Sequence, residues 1–316
     1  MLLEALCKVN NRIISCPRHN FDDRTGSQAQ LQEQFTMQLA MVDDKIQPLE
    51  EVNPAHLDRG TFFGDGVYEV LAAYDGRIFA LDDHLRRFAA SMAAIGITGV
   101  DIDLIRRRVV KAFDAAKIPQ AAIYFHITRG SAPRRHVPAP DLKPNFFLTV
   151  TERKEDAEAK TNGIKVSTYP DLRWKRCDIK SLNLLPNILA RRDAADKGCA
   201  EAILVDDAGL ITEGAGSSFF VIFGKNLKTA PLTANILPSI TREFIIKAAA
   251  NAGLNVADES LTPQQAAAAD ELFIAFTTQD ILPVVSFDDA KIGDGKPGPN
   301  TKRLMDEFRT FTHDAS

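Results

Sequence analysis

A run almost bare of apolar residues, Glu152-Arg153-Lys154-Glu155-Asp156-Ala157-Glu158-Ala159-Lys160, divides this chain and constrains what it can fold into. Boundaries between domains fall in polar, exposed segments that few contacts cross. At 316 residues the chain also exceeds the usual size for one hydrophobic core, so two domains are expected. We assign a small N-terminal α/β domain to 37–153, a linker to 154–160 and a larger C-terminal domain to 161–316. Residues 1–36 carry three arginines, several Gln and Asn, and little apolar periodicity. They read as an extension, either disordered or preceding a start at Met37.

On both sides of the boundary, β-rich runs alternate with amphipathic helices, the pattern of an α/β fold. A glycine-punctuated loop, Leu57 to Gly66, runs into the strand Val67 to Leu71, and Asp75-Gly76 predicts a tight hairpin turn. Asp82 or Asp83 is expected to cap a helix over 83–94 that turns Leu85, Phe88, Ala89 and Met92 inward. A second helix over 103–117 turns Leu104, Val109, Phe113 and Ala116 inward. Strands at 122–128 and 145–150 flank an Arg-, Pro- and His-bearing loop, either an anion-recognition loop or a solvated hairpin tip. In the second half, Pro186 opens a helix that closes at Gly198, and Asp206-Asp207-Ala208-Gly209 turns a hairpin. Ser239 starts a helix whose first-turn amides make an anion site or merely a capped end. A strand at 271–278 ends in Thr277-Thr278, and a helix over 299–312 completes the chain.

The balance of 38 Lys+Arg against 42 Asp+Glu, net charge -4, disfavours nonspecific binding to nucleic acid or an anionic membrane. No apolar run has the length of a membrane span. Cys7, Cys16, Cys177 and Cys199 lack Cys-x-x-Cys spacing, so no metal site or disulfide framework is indicated, and a reducing cytoplasm fits. Walker, Gly-x-Gly-x-x-Gly and His-Glu-x-x-His motifs are absent.

Within Arg173-Trp174-Lys175-Arg176-Cys177-Asp178-Ile179-Lys180, cationic neighbours would favour a neutral, nucleophilic Lys180. On this chemistry alone, a solvated lysine in a basic turn is the plainer alternative.

The ordered set of motifs goes further. Arg173-Trp174-x-Arg176-Cys177-Asp178-Ile179-Lys180-Ser181-Leu182-Asn183-Leu184-Leu185 is joined by Asp58-Arg59-Gly60 and by Phe63-Gly64-Asp65-Gly66-Val67-Tyr68-Glu69. Thr128-Arg129-Gly130, Pro133-Arg134-x-His136, Thr212-Glu213-Gly214 and Ile236-Leu237-Pro238-Ser239-Ile240-Thr241-Arg242 follow in order. From about Met37 onward the chain resembles the fold-type IV pyridoxal-phosphate aminotransferases, most of all those acting on D-amino acids.

The resemblance implies a two-domain α/β fold with pyridoxal 5'-phosphate in the interdomain cleft. It implies ping-pong transamination of a D-amino acid, of D-alanine or D-glutamate type, with a 2-oxo acid. Lys180 matches the lysine that forms the aldimine and shuttles the Cα proton, and Glu213 the carboxylate that keeps the pyridine nitrogen protonated. Arg87 matches the phosphate-binding arginine, with Ile240, Thr241 and Thr277 completing the phosphate cup and Leu237 backing the ring. Tyr68, Arg134 and His136 match the trio that captures the substrate carboxylate, the last two reaching into the neighbouring subunit's site, so a homodimer is implied. Relatives with L-branched-chain or (R)-amine transaminase activity, or 4-amino-4-deoxychorismate lyase activity, share Lys180 and Glu213. A non-enzymatic carrier of the cofactor is the alternative outside enzymology. Two positions depart from the family pattern: Ala215 replaces a hydroxyl beside two loop glycines, giving a loop expected to be freer, and Phe276 replaces a small hydroxyl residue.

Overall fold

A computed structural model describes residues 38–313, so the extension expected over 1–36 lies outside the described residues. The chain divides into two compact units between Glu51 and Val52. The described part of the first contains a hairpin of β1 (Leu39–Val42) and β2 (Lys45–Pro48), turned through Asp43 at φ 50°.

The second unit opens with α1 (Arg59–Phe63), β3 (Gly66–Tyr74), β4 (Arg77–Ile78), α2 (Leu81–Ala94), α3 (Ile102–Ala116), β5 (Ala121–Thr128) and β6 (Asn145–Glu152). The strands form an antiparallel sheet in the order β4-β3-β5-β6. Asp75 and Gly76, at φ 49° and 80°, make the predicted turn, because two left-handed residues match the twist of a tight hairpin. Alternation along β3 and β5 sends Val67, Leu71, Ile123, Phe125 and Ile127 to one face, where Leu85 and Phe88 of α2 and Ile105 and Val109 of α3 cover them. Two local expectations change. Leu104 is exposed and Ile105 takes the core position. Ala80, left-handed at φ 51°, precedes α2 without a side-chain cap, and Asp82 and Asp83 lie within its first turn, where they meet the positive end of the helix dipole.

The rest of the unit contains α4 (Ala157–Asn162), β7 (Ile164–Pro170), α5 (Leu185–Asp196), β8 (Glu201–Val205), β9 (Ile211–Gly214), β10 (Ser218–Phe223), β11 (Asn226–Thr229) and α6 (Ile240–Asn251). It continues with β12 (Asn255–Asp258), α7 (Pro263–Ala267), β13 (Glu271–Phe276), β14 (Asp280–Phe287), β15 (Ala290–Lys291) and α8 (Pro299–His313). A mixed sheet runs β12-β11-β10-β13-β14-β7-β8-β9, with β15 paired to β14. One face packs Phe220 and Phe273 against Ile245 and Ala248 of α6 and Leu304 and Phe308 of α8. The other gathers Val166, Ile203, Val221, Ile274 and Phe287 over Ala266 of α7. Apolar residues on both faces explain why these strands read as continuous hydrophobic runs.

The charged stretch expected to be a linker is tied in rather than solvated throughout. It contains α4, capped by Asp156 and buried at Ala159, and the Arg153 and Lys160 side chains are almost wholly covered.

Candidate active site

The segment carrying Lys180 is fixed by backbone pairing along the free edge of β3. Tyr68 N–H donates to the Lys180 carbonyl at 3.0 Å and Leu182 N–H to the Gly66 carbonyl at 3.0 Å, with a bridge between Val67 and Ser181. Gly66 is required by this approach, because a Cβ there would lie 2.6 Å from the Ile127 carbonyl oxygen and 2.8 Å from Leu182 Cδ1. The result places Lys180 Nζ 4.2 Å from the Tyr68 ring centroid.

Both side chains line a cavity of ≈ 530 Å³. Arg87, Glu213, Leu237 and Thr277 line it too, as do Trp174, Ser217 and Ser239. Six of the sequence-predicted site residues therefore meet around one space. Arg134 and His136 do not: both are exposed on the loop between β5 and β6, Arg134 over the Phe63 ring at 5.0 Å and His136 with its ring 5.5 Å from it. Ile240 and Thr241 are buried in the first turn of α6, next to Ser239. The Ser239 hydroxyl accepts from Arg242 N–H, so it caps the helix, while the amides of the first turn lack intrahelical partners.

Two of the cations expected around Lys180, Arg173 and Arg176, are paired with carboxylates. Arg176 pairs with Asp178 at 2.9 Å. Arg173 grips Asp171 through two hydrogen bonds of 2.8 Å and donates its remaining guanidinium nitrogen to Glu213. Glu213 Oε1 also accepts from Leu237 N–H at 3.1 Å. Burial pushes the Glu213 carboxyl above its ordinary range, and Arg173 opposes that shift. Two carboxylates sharing one guanidinium leave this wall of the cavity with net negative charge when ionised.

On the Arg87 side, Glu69 on β3 is fully buried and accepts from Arg87 Nε and Nη2, both at 2.7 Å. Arg87 Nη1 reaches the Pro238 carbonyl at 2.9 Å, and His84 Nδ1 lies 2.7 Å from Glu69. Burial alone would raise Glu69, but Arg87 and His84 reverse this and bring it down to about 2. Burial pushes the His84 imidazole below its usual value against the pull of Glu69.

Glu69, His84 and Asp171 carry no role in the sequence reading, and Arg173 only that of a cationic neighbour of Lys180. Glu69 and Arg173 lay inside quoted motifs, which was the available signal. Cys177 also lines the cavity, but burial pushes its thiol up to about 11, which makes it an inert wall rather than a nucleophile. The Glu213–Ser218 loop is held despite its glycines: Ala215 N–H donates to Ala202, the Ala215 carbonyl accepts from Asn187, and Ser217 donates to buried Glu201. Phe276 lines the cavity directly before Thr277.

An amine and a buried carboxylate lining one cavity with an arginine and hydroxyls, on a two-sheet scaffold, fit an enzyme that handles a small anionic carbonyl compound. Residues 66–287 match the family described as amino-transferase class IV, and the chain belongs to that family. It is 38% identical over 252 residues to a D-alanine aminotransferase of Bacillus licheniformis, covering 78% of this chain and 88% of that one. It is 35% identical to a D-alanine aminotransferase of Staphylococcus haemolyticus, covering 84% and 95%. Among solved structures, the branched-chain amino acid aminotransferase of Escherichia coli is 26% identical with a TM-score of 0.75, covering 86% and 93%. A putative 4-amino-4-deoxychorismate lyase of Legionella pneumophila, 21% identical with a TM-score of 0.73 over 81% and 94%, shares the fold.

Proposed function

We propose that this chain transfers the amino group of a D-amino acid to a 2-oxo acid, using pyridoxal 5'-phosphate held in the Lys180 cavity. The observation that carries the reading is the convergence of Lys180, Glu213, Arg87 and Thr277 on one space of ≈ 530 Å³. The donor set suits that cofactor. Arg87 is oriented by Glu69 yet lines the cavity, and the first turn of α6 adds amides for an anion. Glu213 offers a carboxylate to a ring nitrogen, Leu237 an apolar backing, and Lys180 an amine for an aldehyde.

When bound, pyridoxal phosphate supplies an aldehyde that takes up amino groups and a ring that delocalises the electron pair left at Cα. The protein's own groups do the rest. Lys180 Nζ receives the Cα proton of the amino acid and returns it at the carbon that was the aldehyde. Glu213, braced by Arg173 and the Leu237 amide, holds a proton on the ring nitrogen by staying charged. Tyr68 flanks the amine at the cavity wall, and Arg87 and Thr277 would hold the phosphate.

The D-amino-acid reading is supported by the curated relatives and by the Tyr68 and Pro133-Arg134-x-His136 pattern. Because Arg134 and His136 are exposed in their own chain, the reading has them serve a second copy's cavity in a homodimer. Exposed Val137, Phe147, Leu185 and Ile188 supply apolar surface for that contact. In this reading the β4-β3-β5-β6 sheet and the larger mixed sheet form the two walls around the cofactor, and the enzyme acts in the cytoplasm, where free Cys177 and Cys199 stay reduced.

The test is a spectroscopic half-reaction of the cofactor-loaded protein with D-alanine, L-alanine, D-glutamate and L-glutamate. Conversion of the visible cofactor band by the D-enantiomers, with slow or no response to their mirror images, is the expected result. Faster reaction with L-leucine or (R)-1-phenylethylamine would move the enzyme to a different donor class. Inertness toward the whole donor panel despite bound cofactor would favour a carrier.

A further inference from the structure

We propose that Arg153, on the segment between the two sheets, is a positioning residue for the phosphate end of the cavity. The claim rests on the reading of that cavity as a pyridoxal-phosphate site. Thr277, which lines the cavity, begins the turn between β13 and β14, which Gln279 N–H closes on the Phe276 carbonyl at 3.2 Å. It is also held from outside. Arg153 Nη1 donates to the Thr278 carbonyl at 3.1 Å. Gln279 donates from Nε2 to the Lys154 carbonyl and accepts from Asp156 N–H, both at 2.9 Å. Asp280, left-handed at φ 61°, takes a hydrogen bond from Tyr74 Oη and lies 3.3 Å from Lys160 Nζ.

Arg153 is the hub of these contacts. Its side chain is 3% exposed, its guanidinium lies 4.3 Å from the Tyr74 ring centroid, and it pairs with Glu155 at 3.0 Å and Asp280 at 3.8 Å. Its own amide donates to the Gln120 carbonyl at 2.8 Å, which ties it to the small sheet. A charged group this deeply covered needs its partners, so the turn and the small sheet are locked to one another through it. Tyr74 ends β3, the strand that also carries Tyr68 and Glu69, so one side-chain cluster links the strand behind Arg87 to the turn bearing Thr277. The two anion-binding sides of the cavity are thereby held at a set separation, which determines how well a phosphate is gripped.

The inference separates the phosphate from the rest of the cofactor, and the test uses that separation. Trp174 is the single tryptophan and lines the cavity, so its fluorescence reports binding to cofactor-free protein. Arg153→Ala, Arg153→Lys and Gln279→Ala are titrated with pyridoxal phosphate and with pyridoxal, which lacks the phosphate. For Arg153→Ala the dissociation constant of pyridoxal phosphate is expected to rise about tenfold while that of pyridoxal stays within twofold. Arg153→Lys should recover part of the loss, and Gln279→Ala should show a smaller rise of the same selectivity. At saturating cofactor kcat should be nearly unchanged.

Equal weakening of both ligands, or no weakening of either, overturns the proposal. Should Arg153→Ala fail to fold, the selectivity of Gln279→Ala decides. Failure of the unaltered chain to bind pyridoxal phosphate would sink the cofactor reading itself, an outcome distinct from equal binding by all variants.

Discussion

Two buried arginine–carboxylate pairs flank the cavity with opposite polarity. Glu213 lines the cavity with Arg173, whose other donors are spent on Asp171 and the Asn235 carbonyl. At the other end Arg87 lines the cavity while Glu69 lies behind it, fully buried and shared with His84. The same pair of residue types thus offers an anion at one end and a cation at the other. Which charge is offered depends on which partner faces the space: Arg173 is shared by two carboxylates and Glu213 lines the cavity, whereas Glu69 lies behind Arg87 and Arg87 lines it. A cofactor with a basic ring nitrogen and an acidic phosphate demands this asymmetry.

Lys180 lines the same cavity, and its replacement should have the largest effect. Lys180→Ala is expected to lower turnover by more than about 10³-fold and to abolish the visible band of the internal adduct. Retention of both would remove the amine from the chemistry. Next come the two carboxylates. Glu213→Gln should reduce kcat by about 10²-fold with cofactor still bound, since only the charge on the ring side is lost. Glu69→Gln should instead weaken cofactor affinity by about tenfold and leave kcat at saturation nearly intact. Identical kinetic signatures for the two variants would break the comparison.

Much of one shell of this site was legible in the sequence and little of the next. Tyr68, Lys180, Glu213 and Leu237 sit in motifs, Arg87 and Thr277 are matched by the resemblance, and the fold brings all six to one cavity. The side chains that hold them were not legible because their partnerships cross the fold: Arg173 and Glu213 are 40 positions apart, Arg87 and Glu69 18. Counting charges near Lys180 along the chain suggested an electropositive pocket, whereas Arg173 and Arg176 each turn to a carboxylate. The 152–160 stretch misled in the same way. Its lack of apolar residues suggested solvent, yet Arg153 and Lys160 point inward because Asp280 and Tyr74 wait there. Helix faces were read to within one position, with Ile105 rather than Leu104 in the core.

The two ends should also part company under acid. Glu69 titrates near 2 in the folded chain against an ordinary value of 4.5, so it contributes stability above about 4.5 that is lost as pH falls toward 2. The loss amounts to about 3 kcal/mol. His84, whose pKa burial lowers, adds loss of the same sign that begins at its ordinary value of 6.5. Glu213 acts in the opposite sense: its raised value means that protonation on acidification favours the folded state. Urea unfolding followed from pH 7 to pH 3 should therefore show falling stability in the parent chain, a shallower fall in Glu69→Gln and a steeper one in Glu213→Gln. Parallel curves would show that neither carboxylate carries the linkage.

The smallest effect falls on the start of α6, which follows the Pro238 carbonyl that Arg87 reaches. Ser239 caps that helix through its bond to Arg242 N–H and lies beside the Pro238 carbonyl that accepts from Arg87. Ser239→Ala removes one cap at a cost of about 1 kcal/mol, read as a lower thermal midpoint. In the proposed reading the helix N-terminus serves the phosphate, so the same change should weaken pyridoxal phosphate by a few-fold and pyridoxal hardly at all. The ring end, resting on Arg173 and Leu237 rather than on α6, should keep its kcat. A fall in kcat at saturating cofactor would mean that the two ends are mechanically coupled through Pro238-Ser239, the two residues that separate the Leu237 contact to Glu213 from the helix.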